Sequence, residues 1–317
     1  MIESMTLLTF TPNPAVDLAT RTPRIEPTHK LRCTAAQVHP GGGGINVARV
    51  IARLGGTATA VYPAGGPAGE RLQQLVAAEG VHARVVRIAG ETRENFSVLD
   101  EGSGDEYRFV LPGPTLSGRE WLACLEHVAA AVPDSGWVVA SGSLPLGVAS
   151  DGYAQLAGLL APHGAHLVLD ASGPSLASAL QAGVHLVKPS LRELQELTGH
   201  ALPDTPSRLA ACRGLIERGQ ARWVALSMGA EGALLVGAGG AWKADAVPVT
   251  VASTIGAGDS FLAGLVWVLS REDHPEEALR FAMAAAAAAL LQPGTALCDP
   301  AQVQRLLPQV RVEAVAF

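Results

Sequence analysis

The sequence predicts an α/β domain: a mainly parallel sheet with helices packed on both faces. Two patterns carry the prediction. From about residue 45 onward, short apolar runs mostly alternate with amphipathic stretches of helical period, the order that βα units impose. The runs are continuously apolar, which suits strands buried on both faces. The 317 residues are 48% hydrophobic and 16% charged, a composition that can bury a large core and excludes a disordered chain.

In chain order the pattern predicts a strand at Thr6–Phe10, a helix at Ile45–Leu54, a strand at Thr59–Tyr62 and a helix at Gly69–Glu79. A helix at Gly118–Val132, a strand at Trp137–Ala140, a helix at Asp151–Pro162 and a strand at His166–Asp170 follow. The last third reads as strand His185–Lys188, helices Leu191–Thr198 and Pro206–Arg218, strand Trp223–Ser227, and helices Asp259–Ser270 and Glu276–Leu291. Gly and Pro punctuate these runs without forming a linker, so residues 1–317 are expected to make one domain. Two segments break the rhythm. Asp17–Val38 and Glu94–Leu111, the latter with a Gly102-Ser103-Gly104 turn, have strand character with no helix between the strands. They are either surface excursions or a small second sheet.

A net charge of -6, with only three lysines (Lys30, Lys188 and Lys243), is a poor basis for neutralising nucleic-acid phosphates. The longest apolar run, Phe281–Leu291, is shorter than the roughly 18 to 20 residues of a membrane span, and the first ten residues lack the positive start of a signal peptide. A soluble, cytoplasmic protein is expected, with no nucleic-acid or membrane partner. Cys33, Cys124, Cys212 and Cys298 lack zinc or disulfide spacing and are expected to be reduced and mostly buried. The nine histidines scatter singly.

Polar and glycine residues collect where predicted strands end, at Ser141-Gly142-Ser143, Asp170-Ala171-Ser172, Lys188-Pro189-Ser190 and Ser227-Met228-Gly229. In open α/β sheets ligands bind beyond those ends. Two glycine loops strengthen the signal. Gly41–Gly44 precede the helix beginning at Ile45, so backbone can approach a ligand at a helix N-terminus. Gly256-Ala257-Gly258-Asp259 frees backbone N–H groups to converge on an anion, with a carboxylate in the first turn. Asp259 is equally suited to capping that helix. A Walker A loop, a protein-kinase catalytic loop, a nucleophile elbow and His-Glu-x-x-His are all absent from the sequence.

Asn13-Pro14-Ala15-Val16-Asp17, Gly41–Gly44 followed by Ile45-Asn46-Val47-Ala48-Arg49, Lys188-Pro189-Ser190 with Glu193, Ser227-Met228-Gly229 and Gly256-Ala257-Gly258-Asp259-Ser260 stand in the order seen in ribokinase-like (PfkB family) sugar kinases. The resemblance covers essentially the whole chain. Within the family, Lys30–Thr34, the four-glycine run, Tyr62–Gly66 and Tyr107–Val110 resemble the 6-phosphofructokinase branch. Relatives acting on fructose 1-phosphate or tagatose 6-phosphate usually carry Lys where this chain has Gly43.

The resemblance implies a three-layer α/β/α sandwich with a small β-sheet lid, formed by about residues 14–38 and 90–112, and a homodimer through the lid. It implies ATP-dependent phosphorylation of fructose 6-phosphate at its 1-hydroxyl, with Asp259 as general base and the Gly256-Ala257-Gly258 loop as the anion hole, through the N–H groups of Ala257, Gly258 and Asp259. Asp17, Gly42, Gly43, Asn46 and Ser143 would hold the sugar, and Lys30, Arg32 and Arg93 its phosphate. Lys188, Ser227, Gly229, Gly232 and Gly258 would surround the nucleotide, with Met283 and Ala284 flooring the adenine. Glu193 would help to organise Mg²⁺; its usual Asn partner is here Ser190, a shorter side chain that would need water to fill the gap. Family members also bind K⁺, here through the carbonyls of Ser253 and Ile255, although Gln292–Thr295 carries an extra residue opposite them. The competing readings are a kinase of tagatose 6-phosphate or fructose 1-phosphate, and a non-catalytic binding regulator.

Overall fold

The computed structural model describes residues 7–272 and 274–316. Thr6, which opens the first predicted strand, lies outside them. The first part of the chain comprises β1 (Leu7–Phe10), β2 (Ala15–Thr22), β3 (Gln37–Gly41), α1 (Gly43–Arg53), β4 (Ala58–Ala64), α2 (Gly66–Ala78), β5 (His82–Arg87), β6 (Arg93–Asp100) and β7 (Glu106–Phe109). The middle comprises α3 (Gly118–Ala129), β8 (Trp137–Ser141), α4 (Gly152–Leu160), β9 (His166–Asp170), α5 (Gly173–Ala182), β10 (Val184–Val187), α6 (Leu191–Thr198), α7 (Thr205–Glu217) and β11 (Ala221–Ser227). The remainder is β12 (Ala233–Gly237), β13 (Gly240–Ala244), α8 (Ala257–Leu269), α9 (Pro275–Leu290), α10 (Pro300–Leu306) and β14 (Val312–Val315).

Ten strands form the large sheet in the order β14-β13-β12-β11-β10-β9-β8-β1-β4-β5. Pairing is parallel from β11 through to β5 and antiparallel among β11, β12, β13 and β14. The continuous apolar runs have the expected cause: neighbouring strand residues feed opposite cores. Leu7, Trp137 and Val139 join one core with α1, α2, α8, α9 and α10, while Leu8, Val138 and Ala140 join the other with α3 to α7. Three layers result. The alanine run of α9 lets it lie close to α8, where a Cβ on Gly264 would stand 3.1 Å from Ala282 Cα and Ala285 Cβ.

The two irregular segments form one separate sheet, ordered β3-β2-β6-β7. Each segment contributes an antiparallel pair, and β2 joins β6 in parallel through eight register pairs from Ala15↔Arg93 to Thr22↔Asp100. Asp100 Oδ1 accepts from the N–H groups of Gly102 (2.9 Å) and Ser103 (3.1 Å), which closes the β6–β7 turn.

Several elements escape the sequence pattern. β5 is an edge strand whose polar His82, Arg84 and Arg87 face outward, so it lacks a continuous apolar run. The antiparallel edge β12–β13–β14 contains no intervening helix until α8, and α5 and α10 lie outside the predicted helices. His166 and His185 do not stand singly: their rings lie 4.1 Å apart beside Trp137, at the start of their strands. Cys33 is exposed and the other three cysteines are buried. Among the described residues no helix is long and apolar enough to cross a membrane.

The join between β1 and α1 tolerates no added atom. A Cβ on Gly44 would stand 2.6 Å from Thr11 Oγ1 and 2.7 Å from the Phe10 carbonyl oxygen, which belongs to β1. Gly44→Ala is therefore expected to destabilise the fold by about 1–3 kcal/mol, read as a lowered urea midpoint at unchanged m-value.

Candidate active site

The parallel strands release their polar exits at one end of the large sheet. The chain runs from β1 outward to β4 and β5 on one side, and through β8, β9, β10 and β11 on the other, so the order reverses between β1 and β8. A ligand crevice is expected at that reversal. Asn13, just past β1, donates from Nδ2 to Ser143 Oγ (3.2 Å), just past β8, and ties the two exits together. An open cleft of about 880 Å³ lies there, with Asp17, Arg93, Asn95 and Arg108 contributed by the small sheet and Asn46, Ser143, Asp170, Glu193 and Asp259 by the large sheet and its helices.

Two helices aim their N-termini into this region without side-chain caps of their own. α1 begins after Gly42, at φ 111°, and α8 after Gly256, at φ 77°, backbone that favours glycine. Thr11 Oγ1 accepts from Ile45 N–H (2.8 Å), serving α1 from outside the helix. Among the described residues the N–H groups of Ala257, Gly258 and Asp259, in the first turn of α8, make no hydrogen bond, the arrangement that binds anions. Asp259 does not cap the helix. It sits in the third helical position, and its Oδ2 accepts from Asn46 Nδ2 at 2.8 Å. Gly43 leaves room for this meeting, since a Cβ there would lie 2.0 Å from Ser141 Oγ and 3.2 Å from Asp259 Oδ1.

The carboxylates differ in environment. Burial raises Asp259 most, with Asp170 and Asp17 adding repulsion; these outweigh the Asn46 bond and Lys188 and push its carboxyl up to about 6. Asp17 accepts from Asn95 Nδ2 (2.9 Å), and burial raises it too, against Asn95, Arg108 and Arg93. Across the β2–β3 pair Gly41 stands opposite Ala15, and a Cβ on it would fall 2.3 Å from Asp17 Oδ2. Lys188 is buried and pairs with Asp170 (Nζ to Oδ1, 3.1 Å). Burial works against the Lys188 ammonium, but Asp170, Asp259 and Glu193 together hold its proton more tightly than usual. Its Nζ lies 3.8 Å from where a Cβ on Gly258 would stand, beside the open N–H groups.

A second, mainly apolar cleft of about 780 Å³ opens on the other side of the same loop. Ser227, Gly229 and Gly232 line it with Ala257 and Gly258, so the α8 N-terminus separates the two clefts. Met283 lines it, but Ala284 is fully buried in the core; the helical period turns Ala286, Ala287 and Leu290 to the cleft instead.

Ser190 and Glu193 form a reciprocal cap at the start of α6. Glu193 Oε2 accepts from Ser190 N–H (2.7 Å) and Oγ (2.8 Å), and Glu193 N–H donates to Ser190 Oγ (3.3 Å). The hydroxyl is thereby used to fix Glu193, whose Oε1 makes no hydrogen bond among the described residues. Three-residue metal clusters of His, Cys, Asp or Glu are absent among the described residues. The donor set fits Mg²⁺, which commonly keeps its waters and uses one or two carboxylates plus substrate phosphates. Ser253 Oγ donates to Glu106 Oε2 (2.9 Å) and accepts from Ile255 N–H (3.2 Å). No backbone hydrogen bond reaches the Ser253 or Ile255 carbonyl among the described residues, which fits a weakly hydrated monovalent cation.

The clefts do not collect every predicted residue. Lys30 and Arg32 are exposed on the long β2–β3 connection and line neither cleft. Arg93 lines the first, more polar cleft, but its Nη1 and Nη2 donate to the carbonyls of Leu111 (3.1 Å) and Asn13 (2.8 Å). Lys243 pairs with Asp245 (3.6 Å), away from both clefts. Arg108, Asn95 and Asp170 enter the site without having been assigned to it from sequence. Arg108 stands in the Tyr107–Val110 motif and Asp170 at a strand exit, which were signals to use; Asn95 is a lone polar residue in a strand and offered none.

The profile described as pfkB family carbohydrate kinase matches residues 12–302. The chain is 44% identical over 299 residues to the ATP-dependent 6-phosphofructokinase isozyme 2 of Mycobacterium tuberculosis (strain CDC 1551 / Oshkosh), covering 94% of this chain and 88% of the relative. It is 34% identical over 310 residues to the 1-phosphofructokinase of Escherichia coli (strain K12), covering 98% of this chain and 99% of the relative. The crystal structure of phosphofructokinase-2 from Escherichia coli in complex with potassium superposes with a TM-score of 0.92 at 40% identity, covering 96% of this chain and 99% of that one.

The Asp259 environment is open to direct measurement. In a ¹³C NMR titration its carboxyl is expected to titrate near pH 6, well above an ordinary aspartate, and to move higher in Asn46→Ala, where the bond favouring the ionised form is lost. A titration near pH 4 in both would contradict this.

Proposed function

Because the chain belongs to the pfkB family of carbohydrate kinases, we propose that it transfers the γ-phosphoryl group of ATP to the 1-hydroxyl of fructose 6-phosphate, giving fructose 1,6-bisphosphate and ADP. The observation that carries the reading is the α8 N-terminus standing between a polar cleft and a mainly apolar one. The polar cleft suits a phosphosugar, and the apolar cleft, bordered by Met283 and Ala287, suits a nucleobase.

Asp17 and Asn46 hold sugar hydroxyls beside the glycine backbone of Gly42 and Gly43, with Ser143 at the rim. Asp259 Oδ1, facing Gly43, takes the proton of the 1-hydroxyl while Oδ2 is held by Asn46. The oxygen then forms its bond to the γ-phosphorus as the bond to the β-phosphate oxygen breaks and ADP leaves. The open N–H groups of Ala257, Gly258 and Asp259 and the Lys188 ammonium stabilise the charge on the migrating group. Gly256 supplies the backbone turn that presents them. A carboxyl near 6 suits this base, being ionised at neutral pH yet more basic than a free aspartate.

Ser227, Gly229 and Gly232 border the nucleotide, and Glu193, fixed by Ser190, would hold Mg²⁺. When bound, Mg²⁺ neutralises charge on the phosphate oxygens. The carbonyls of Ser253 and Ile255 would hold K⁺, a reading supported by the potassium complex of the Escherichia coli protein. Arg108 and Arg93 are the cations best placed for the sugar phosphate. Higher identity to a 6-phosphofructokinase than to a 1-phosphofructokinase supports the substrate choice. So does Gly43, where a Lys would displace Ser141. The small sheet acts as the lid over the sugar. It exposes Phe96 (41%) and Phe109 (44%), with rings stacked at 4.6 Å, an apolar face that supports pairing with a second copy.

Asp259→Asn is expected to lower kcat by about 10² to 10⁴-fold with little change in KM for ATP. Retention of more than a few per cent of kcat would remove Asp259 as the base. Comparison of kcat/KM on fructose 6-phosphate, tagatose 6-phosphate and fructose 1-phosphate is expected to favour the first; preference for another would overturn the substrate, and ligand binding without ADP release would point to a regulator.

A further inference from the structure

We propose that Arg49, held by Glu79, is a positioning residue for Asp259, acting through Asn46. The proposal rests on reading Asp259 as the general base. Arg49 is a cation in the middle of α1, three residues after Asn46, where a surface position would be ordinary, yet it has no exposed surface. Its Nη1 donates to Asn46 Oδ1 at 3.0 Å and to the carbonyls of Pro40 (3.2 Å) and Thr295 (3.4 Å), while Nη2 donates to Glu79 Oε1 at 2.6 Å. Glu79, at the end of α2, is held again by Arg53 through both carboxylate oxygens (3.1 and 2.9 Å).

The result is a directed chain: Glu79 fixes the guanidinium, the guanidinium fixes Asn46 Oδ1, and Asn46 Nδ2 must then face Asp259 Oδ2. An amide has two similar ends. Turned over, Asn46 would place its oxygen against the carboxylate, an arrangement compatible only with a protonated Asp259. A cation on the carbonyl side makes that orientation unfavourable. The same guanidinium joins the β3 end at Pro40 to the segment at Thr295, so the amide is set against fixed backbone.

Other charged groups surround the chain. Asp17 and His39 face Arg49 from β2 and β3, and Arg53 lies on its own helix. Asp170, Lys188 and Asp17 face Asp259. None of them hydrogen-bonds the Asn46 side chain among the described residues, so loss of Arg49 should be read at Asp259 through the amide.

The test uses Arg49→Met, Arg49→Lys and Glu79→Gln in the full-length enzyme, with far-UV circular dichroism and a thermal melt as folding controls. Arg49→Met is expected to move the ¹³C titration of Asp259 and the acid limb of kcat upward together by about one pH unit. It is also expected to lower kcat about tenfold on the plateau above the limb, with KM for ATP changed less than twofold. Arg49→Lys, which retains a donor, should recover most of both effects, and Glu79→Gln should move the limb in the same direction by less. A folded Arg49→Met with wild-type titration and kcat overturns the proposal; if it does not fold, an unmoved limb in Glu79→Gln does so. An active Asp259→Asn would instead refute the general-base reading, while the Asp259 titration would still report whether Arg49 orients the amide.

Discussion

The hydrogen bond from Asn46 to Asp259 is the contact on which the rest of the site depends. It joins residues 213 positions apart and brings together the N-terminal turns of α1 and α8. Two features make the approach feasible. Gly43 has no side chain to strike Ser141, and Thr11, from the β1 exit, accepts the Ile45 N–H and so leaves the front of α1 for a ligand. A magnitude shows which effect controls Asp259. A helix N-terminus favours its ionised form by about 0.3–1 kcal/mol, up to about 2. Displacement from an ordinary aspartate to about 6 is roughly 3 kcal/mol in the opposite sense. Burial and neighbouring carboxylates therefore outweigh the helix, and the group remains basic enough to accept a proton.

The surrounding charges form a compatible set. Asp170, Asp17 and Asp259 concentrate negative charge, and Lys188 counters it while standing next to the N–H groups at the start of α8. An incoming phosphoryl group would find donors already oriented, with little reorganisation left to the reaction. The small sheet completes the site by placing Asp17 and Arg108 over the same cleft. Asp17 depends on Gly41 for space, as Asp259 depends on Gly43.

Most of the large sheet was legible because burial on two faces leaves a continuous apolar run, as in Trp137–Ala140. β5 was not legible, since an edge strand need not be apolar on every residue. The loops at Gly41–Gly44 and Gly256–Asp259 could be read because close backbone approach requires glycine. Whether Asp259 caps a helix or faces a ligand could not: both roles use the same residue at the same end of a helix, and only the contact with distant Asn46 separates them. Arg49 was hidden for a related reason. An arginine on an amphipathic helix reads as solvent-facing, and its burial follows from Glu79 on another helix, a pairing that no local pattern records.

The most direct test of the account is to follow the phosphoryl group itself. ³¹P NMR of the protein with ATP, Mg²⁺ and fructose 6-phosphate should show loss of the γ-phosphate resonance with growth of one new sugar phosphomonoester on C1, in equal amount to the ADP formed. ADP with free inorganic phosphate and no new phosphomonoester, or no turnover of this sugar alongside turnover of fructose 1-phosphate, would contradict it.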